Sequence, residues 1–235
     1  MANTHITLTL PNSETLTLPW KQLKRAKHIR VTVSQGKPRV TSPASVSRHS
    51  VESFLLQQST WIQAQLNTIE TLPRNTLYYR GEPHELVFHP DVPLDRRVYR
   101  DVTKIIIHPI VMTNDSIRAS IERWLQTEAS ILAVPILQKH SQRMEVDVPQ
   151  LRFRETRSRW GSCSSTGAIT LNWRLAHAPL EVMEYVIVHE LAHRIHMNHS
   201  ADFWNLVEQH DPSFRIHRGW LKRHSHLCQT PHIEL

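Results

Sequence analysis

Two histidines spaced four residues apart, His189 and His193, constrain this chain more than any other feature of its sequence. Residues four apart lie on the same face of an α-helix, because one turn takes 3.6 residues. Their imidazoles can therefore bind one metal ion together. Glu190 directly follows the first histidine, where its carboxylate can reach a water molecule on the metal. A metal, a base and a water are what hydrolysis of a peptide bond requires at neutral pH.

The residues around this motif have the periodicity of a helix. Pro179 suits a first helical turn, since the N–H that proline lacks has no helical partner there. Apolar residues then recur at helical spacing, and the pattern predicts a helix over about residues 179–197. Chance supplies about 0.07 such motifs in a chain this rich in histidine. A helix that carries histidines without a function is therefore the weaker interpretation.

A third ligand is expected, because catalytic zinc usually takes three protein ligands and one water. His199 is the preferred residue, but it lies six residues after His193, on the wrong face of a straight helix. The chain must therefore leave the helix between them. Asn198 is the predicted exit, since asparagine tolerates the left-handed conformation that ends helices. Ser200 can then cap a second helix.

Other polar residues near the motif leave several roles open. Glu208, on the predicted second helix, is the alternative third ligand, whereas His196 is predicted to point away from the metal. Asp202 and Glu208 are candidates to orient the histidines through hydrogen bonds. A further group is expected to stabilise the oxyanion. The candidates for that role are Arg159, Tyr185, His196 and His210.

Composition indicates a basic globular chain with a net charge of +7. The basic residues cluster in three places: Lys21, Lys24, Arg25, Lys27 and Arg30; Arg152, Arg154, Arg157 and Arg159; and Arg215, Arg218, Lys222 and Arg223. Such a balance favours polyanions, so contact with nucleic acid is a possible role of this surface. A solvated basic surface is the simpler interpretation, because no recognised nucleic-acid motif accompanies the charge.

The number of cysteines and the lack of long apolar runs indicate the cellular environment. Cys163 and Cys228 are the two cysteines, so no disulfide framework is expected and a reducing compartment fits. No apolar run approaches the roughly 18 residues of a membrane span. The first twenty residues resemble no secretory signal. We therefore expect a cytoplasmic protein without a membrane segment; the sequence predicts no oligomeric state.

Residues 1–110 are predicted to be β-rich, with one long helix. Short strands are expected within residues 5–42, where isoleucine and leucine alternate with threonine. A turn at residues 35–38 separates two of them. The helix follows over about residues 47–69. Residues 77–108 are again strand-like.

Residues 111–235 are predicted to form the catalytic part. A long helix is expected over residues 115–143, which Pro135 should kink or interrupt. Three strands then precede the metal helix, at residues 151–154, 160–162 and 168–173. We expect the last of them to be an edge strand, to which an extended peptide adds by backbone hydrogen bonds. The candidate substrate-binding residues are Ala168, Thr170 and Asn172.

This order of elements predicts an α+β fold. The expected architecture is a zincin-like metallopeptidase domain, with the His-Glu-x-x-His helix beside an antiparallel sheet and the β-rich part before it. The two parts, residues 1–110 and 111–235, are expected to act together as one unit over about residues 20–225.

Residues 189–204, with the sequence HELAHRIHMNHSADFW, resemble the signature of the YgjP-like metallopeptidases, relatives of the WLM and SprT-like zinc proteases. Residues 159–164 and 169–175 resemble the stretch that precedes this signature, and a weaker similarity extends over about residues 20–225. The resemblance implies one Zn²⁺ per chain, with Glu190 as the catalytic base. It also implies that the zinc ligands are His189, His193 and His199.

We therefore expect a zinc-dependent metallopeptidase that acts on a protein or peptide. Glu190 would take a proton from the attacking water and deliver it to the departing amine. Two alternatives stay open: a basic nucleic-acid-associated protein with a zinc site, and a metal-dependent hydrolase of a non-peptide substrate. Glu190 argues against a purely structural zinc site, which needs no base.

Overall fold

The computed structural model describes residues 4–34, 37–67, 73–89, 98–156, 159–231 and 233. The chain forms two compact units, Met1–Thr71 and Leu72–Leu235. Both contain helices and strands, so the α+β prediction is confirmed. Among the described residues, no helix has the length and apolar character needed to cross a membrane.

A four-stranded sheet forms the base of the first unit. Its strands are β1 (Thr4–Thr9), β2 (Thr15–Leu23), β3 (Arg30–Ser34) and β4 (Lys37–Pro43), in the order β1-β2-β4-β3. In β1, Ile6 and Leu8 are buried whereas the threonines between and after them are exposed, as a period of two residues dictates. The strands predicted within residues 5–42 are confirmed. The predicted turn residues Gln35 and Gly36 lie outside the described residues.

Two helices pack on this sheet where one was predicted over residues 47–69. They are α1 (Arg48–Gln57) and α2 (Ser59–Asn67), and Ile69 lies outside the described residues. The break follows Gln58, whose N–H donates to the Phe54 and Leu55 carbonyls. Gln58 is the single residue between the two helices, and Ser59 and Thr60 already belong to α2.

A second four-stranded sheet begins the second unit. Its strands are β5 (Thr76–Tyr79), β6 (Glu82–Phe88), β7 (Val98–Asp101) and β8 (Lys104–Ile107), in the order β5-β6-β8-β7. Its apolar face packs against α3 (Asn114–Arg143), where Ile105 and Ile107 meet Ile117 and Ile121. This packing ties the sheet to the elements that follow it. The division of the chain therefore lies at Thr71, before the boundary expected at residue 110.

Helix α3 runs without interruption through Pro135, so the predicted break is absent. A proline removes one backbone hydrogen bond, here the one to the carbonyl of Ile131 four residues earlier. Both Pro135 and Ile131 are exposed, so water can hydrogen-bond to that carbonyl. On the other side of the helix, Ala133, Ile136 and Leu137 are buried in the core. This packing keeps the helix continuous across the missing bond.

Three short strands form a third sheet: β9 (Leu151–Arg154), β10 (Gly161–Cys163) and β11 (Ile169–Asn172). Their order is β10-β11-β9, with β11 antiparallel to β10 and parallel to β9. The sheet is therefore mixed rather than antiparallel throughout. The prediction of an edge strand at residues 168–173 is wrong, because β11 lies in the centre and β10 lies at the edge. Arg157, in the connection before β10, lies outside the described residues.

The C-terminal half of the second unit is helical. A 3₁₀-helix (Trp173–His177) leads into α4 (Leu180–Ala192), and α5 (Ala201–His210) and α6 (Phe214–His224) follow. Helix α4 packs against α3, α5, α6 and strand β10. A hydrophobic core surrounds it, formed by residues such as Val186, Ile187, Leu191 and Phe203. Helix α4 therefore lies inside the unit rather than on its surface.

A fully buried histidine joins the 3₁₀-helix to strand β5. The His177 Nδ1–H donates to the Tyr78 carbonyl at 2.7 Å. Burial lowers the pKa of His177 to about 3; the Tyr78 hydrogen bond opposes this shift and the charge of Arg174 adds to it. The imidazole is therefore neutral in the folded protein at pH values where an unfolded histidine is protonated.

We predict that this histidine makes the fold sensitive to acid. Below the unfolded pKa of about 6.5 the unfolded chain binds a proton that the folded chain does not, so stability falls by up to about 1.4 kcal/mol per pH unit. The loss continues until the pH reaches the folded pKa. His177→Gln keeps a donor for Tyr78 and should show a shallower decline in urea unfolding between pH 7.5 and 5. Equal slopes in both proteins would contradict the prediction.

Candidate active site

The last turn of helix α4 presents His189, and the residue that caps the helix is His193. From Val182 to Ala192 no residue of the helix is exposed. The helix ends at Ala192, earlier than predicted, but His193 keeps helical dihedral angles (φ −66°, ψ −12°). The two imidazole rings therefore remain one turn apart on one face, with centroids 5.0 Å apart.

A tight turn after His193 brings the chain back to this face. The N–H of Arg194 donates to the Leu191 carbonyl, and the N–H groups of the next two residues donate to the Ala192 carbonyl. The chain thus leaves the helix at His193. The predicted left-handed exit at Asn198 is wrong, since Asn198 is not among the residues with positive φ.

The turn places His199 against the other two histidines. Its Nε2 lies 3.2 Å from the Nε2 of His189. One ring nitrogen from each of His189, His193 and His199 lies within 4.8 Å of the others. Two nitrogens bound tetrahedrally to one zinc, at about 2.0–2.1 Å each, lie about 3.3 Å apart. The His189–His199 distance matches this spacing, and three imidazoles are a donor set that suits a zinc ion.

Two aromatic residues at the start of helix α5 support the three imidazoles. Ser200 caps this helix, as predicted, by accepting the N–H of Phe203. The buried ring of Phe203 contacts all three histidines, with centroid distances from 4.6 to 4.9 Å. Trp204 stacks on the His199 ring at 5.6 Å. The cap of α5 thus fixes the aromatic surface against which the histidines are held.

Hydrogen bonding and burial set the state of the imidazoles. The His193 Nδ1–H donates to the His196 carbonyl at 3.1 Å, which leaves its Nε2 as the acceptor nitrogen. Burial lowers the pKa of His189 to about 3, and the neighbouring histidines and Arg218 add to the shift. Burial also lowers the pKa of His193. Neutral imidazole is the form that binds metals.

The carboxylate of Glu190 is buried beneath strand β10. Burial raises its pKa to about 7, against smaller opposing effects of the Arg159 charge and of the Cys163 N–H that donates to it. Cys163 and Cys228 are both free thiols. Because the Cys163 N–H reaches Glu190, the outer edge of β10 faces the carboxylate. Strand β10 is thus part of the site.

Gly161 makes this close approach of strand and carboxylate feasible. A Cβ atom at this position would lie 2.6 Å from Oε1 and 2.7 Å from Cγ of Glu190. Both distances are far shorter than a van der Waals contact, so any side chain here displaces the carboxylate. In the sequence, Gly161 stands within a predicted strand, and a glycine in a strand often marks a place where another group approaches the backbone closely. Sequence reasoning did not assign Gly161 to the site.

A cavity of about 320 Å³ opens beside His189 and Glu190. Apolar and aromatic side chains form its walls: Trp160, Tyr185, Val186 and Leu221. Three cations also line it: Arg159, Arg218 and Lys222. Arg159 and Tyr185 were predicted near the site as candidate oxyanion donors. Arg218, Leu221 and Lys222 of helix α6 were not predicted there, because nothing in the sequence places this helix beside α4.

The other polar candidates lie elsewhere. Glu208 forms an ion pair with Arg215 and is outside the three-histidine group. His196 reaches the site through its carbonyl, which accepts from His193, and His210 packs near His140. Asp202 is exposed in the first turn of α5.

The three predicted substrate-binding residues are engaged within the sheet. The Ala168 N–H donates to the Ser164 hydroxyl, and Thr170 pairs with both neighbouring strands. The Asn172 side chain is buried, donates to the Thr156 carbonyl and caps the 3₁₀-helix. A contact between these residues and a substrate stays a prediction, without the edge-strand geometry that motivated it.

Comparisons with known proteins give a family. The model of the YgjP-like metallopeptidase domain matches residues 27–224. The crystal structure of the metallopeptidase zymogen of Pyrococcus abyssi abylysin is similar, with 21% identity over 43% of this chain and 97% of that chain. The TM-score between the two structures is 0.34. No curated protein matches the chain. Because the family model spans most of its length, the chain belongs to the YgjP-like metallopeptidase family.

Proposed function

We propose that this protein is a zinc-dependent peptide hydrolase, with His189, His193 and His199 as zinc ligands and Glu190 as the general base. The observation that carries the proposal is the convergence of three imidazole nitrogens within 4.8 Å, next to a buried carboxylate. Three protein ligands leave the fourth position of a zinc ion to water. Membership of a metallopeptidase family supports the same conclusion.

The residues of the site suit the proton transfers of hydrolysis. Zinc, when bound, supplies a Lewis acid that polarises a carbonyl and acidifies water. A carboxyl with a pKa of about 7, as in Glu190, takes and returns a proton efficiently near neutral pH. Burial raises the pKa of Tyr185 to about 12, so its hydroxyl stays protonated and can donate to an oxyanion. Arg159 is the second candidate for that role.

We place an extended substrate along the free edge of strand β10. Within the described sheet this strand pairs on one side only, with β11. The Cys163 N–H on its other side reaches Glu190, so a peptide added there would lie beside the carboxylate. A non-peptide substrate and contact with nucleic acid through the basic surface remain predictions from the sequence.

Glu190→Gln should separate metal binding from catalysis. The amide keeps the shape of the side chain but cannot act as a base, so we expect zinc content to be unchanged and peptide cleavage to fall more than about a hundredfold. Elemental analysis and a cleavage assay on mixed protein substrates measure the two. Glu181→Gln, an exposed position in the first turn of the same helix, is the matched control. Equal cleavage by both variants would end the hydrolase proposal.

His199→Ala should weaken zinc binding by more than about a hundredfold. Changes to groups that merely orient zinc ligands cost about 10–100-fold, and the loss of a ligand costs more. Zinc retained in competition with a chelator measures the effect. His196→Ala is the control, because the backbone carbonyl that accepts from His193 survives the substitution. Equal zinc affinity in the two variants would remove His199 from the ligand set.

Gly161→Ala should impair catalysis without loss of zinc. The added carbon would displace the Glu190 carboxylate, and a misplacement of about 1 Å lowers turnover by about a hundredfold. Gly219→Ala is the control, because its Cβ would meet only the flexible end of Arg223, at 3.0 Å. Steady-state kinetics measure the loss of turnover, and elemental analysis measures the zinc content. Normal turnover by Gly161→Ala would show that β10 does not hold the carboxylate in place.

A further inference from the structure

The cavity beside Glu190 carries a set of charges that proton transfer at the metal does not require. Arg159, Arg218 and Lys222 all line it. Glu190 supplies the sole carboxylate among its lining residues. The lining of the cavity therefore carries more positive than negative groups.

All three cations are exposed, and none forms an ion pair within the described part of the chain, although the charge of Arg159 acts on Glu190. On the same helix, Arg215 pairs with Glu208, and on the 3₁₀-helix Arg174 pairs with Glu155. Arg218 instead lies over the Trp204 ring at 4.9 Å. Glu155 and Glu208 are thus paired outside the cavity, and the cations of its lining are open to an anion from solution.

The arrangement is also unfavourable without a ligand. Arg218 and Lys222 are four residues apart on α6, so their like charges lie on one face of the helix and repel each other. Arg159, which precedes strand β10 in the chain, brings a third positive charge to the cavity. A bound anion would relieve this repulsion.

The remaining walls define what kind of anion fits. Trp160, Tyr185, Val186 and Leu221 offer apolar and aromatic surface. A carboxylate on a short aliphatic stem suits both the apolar walls and the cations. Its methylene groups would lie against the apolar walls and its oxygens at the guanidinium groups, which bind carboxylates through paired hydrogen bonds. A cavity of about 320 Å³ has room for one such side chain.

We propose that this cavity is a specificity site that binds a carboxylate of the substrate close to the scissile bond. The carboxylate belongs either to an aspartate or glutamate side chain or to the C-terminus of the peptide. The inference rests on the proposed peptidase function. It makes the enzyme selective for cleavage next to an acidic group.

The test uses zinc-loaded protein and a set of peptides that differ at one position. Peptides with Glu, Gln or Lys at a single site within a randomised background, each with a free or an amidated C-terminus, are cleaved and the cut sites are read by mass spectrometry. We expect kcat/KM to be about tenfold higher for the carboxylate than for its neutral counterpart, the effect of one charge-assisted pair. The Glu–Gln comparison reports a side chain and the acid–amide comparison reports the C-terminus.

Charge reversal on helix α6 identifies the residues responsible. Lys222→Glu and Arg218→Glu should each reduce the preference for the carboxylate, and the double variant should favour the Lys peptides. Arg223→Glu makes the same change of charge at the exposed position next to Lys222 and should leave the preference unchanged. Cleavage of Lys peptides by the double variant shows directly that it is folded and loaded with zinc.

The outcomes separate this inference from the proposed function. Equal cleavage of carboxylate and neutral peptides by the wild type overturns the inference and leaves the hydrolase intact. If no peptide is cleaved, the proposed function fails, and fluorescence anisotropy with the zinc-loaded Glu190→Gln variant then decides whether acidic peptides bind more tightly than neutral ones. If Lys222→Glu weakens binding of a single-stranded oligonucleotide but not of an acidic peptide, the surface serves nucleic acid and the inference is wrong.

Discussion

The burial of helix α4 is the constraint on which the rest of the second unit depends. A helix that is apolar on nearly every side is stable only inside a core, and from Val182 to Ala192 no residue of α4 is exposed. Helices α3, α5 and α6 and strand β10 enclose it. The same enclosure removes water from His189 and Glu190, which keeps the imidazole neutral and raises the pKa of the carboxyl. The packing of the fold and the chemistry of the site thus have one cause.

The end of α4 is as important as its interior. His193 caps the helix with helical dihedral angles, and the turn that follows returns His199 to the same face. Phe203, held by the Ser200 cap, then supports all three rings. On the opposite side Gly161 lets strand β10 approach Glu190 so closely that no side chain fits between them. These contacts bring three imidazoles and one carboxylate together at the end of α4.

Patterns with a strong local signal were predicted well. The alternation of Ile6 and Leu8 with threonine identified strand β1, and the spacing of His189 and His193 identified their shared face. Predictions that depended on neighbours were less accurate. Pro135 does not break α3, because its exposed side can lose a hydrogen bond while the buried side packs. The chain leaves α4 before Asn198, and the expected edge strand at residues 168–173 lies in the centre of its sheet.

The sequence by itself determined the type of the site: two histidines and a glutamate on one helix, with a further histidine within reach. Helical spacing is a local property, so His189 and His193 share a face whatever surrounds them. Tertiary structure alone decided which strand lies against Glu190 and which cations line the cavity. Strand order and the packing of α6 against α4 depend on contacts between segments far apart in the chain, and no local pattern encodes them. The candidate metal ligands are therefore recognisable in a few neighbouring residues, whereas the cavity beside them is formed by the fold.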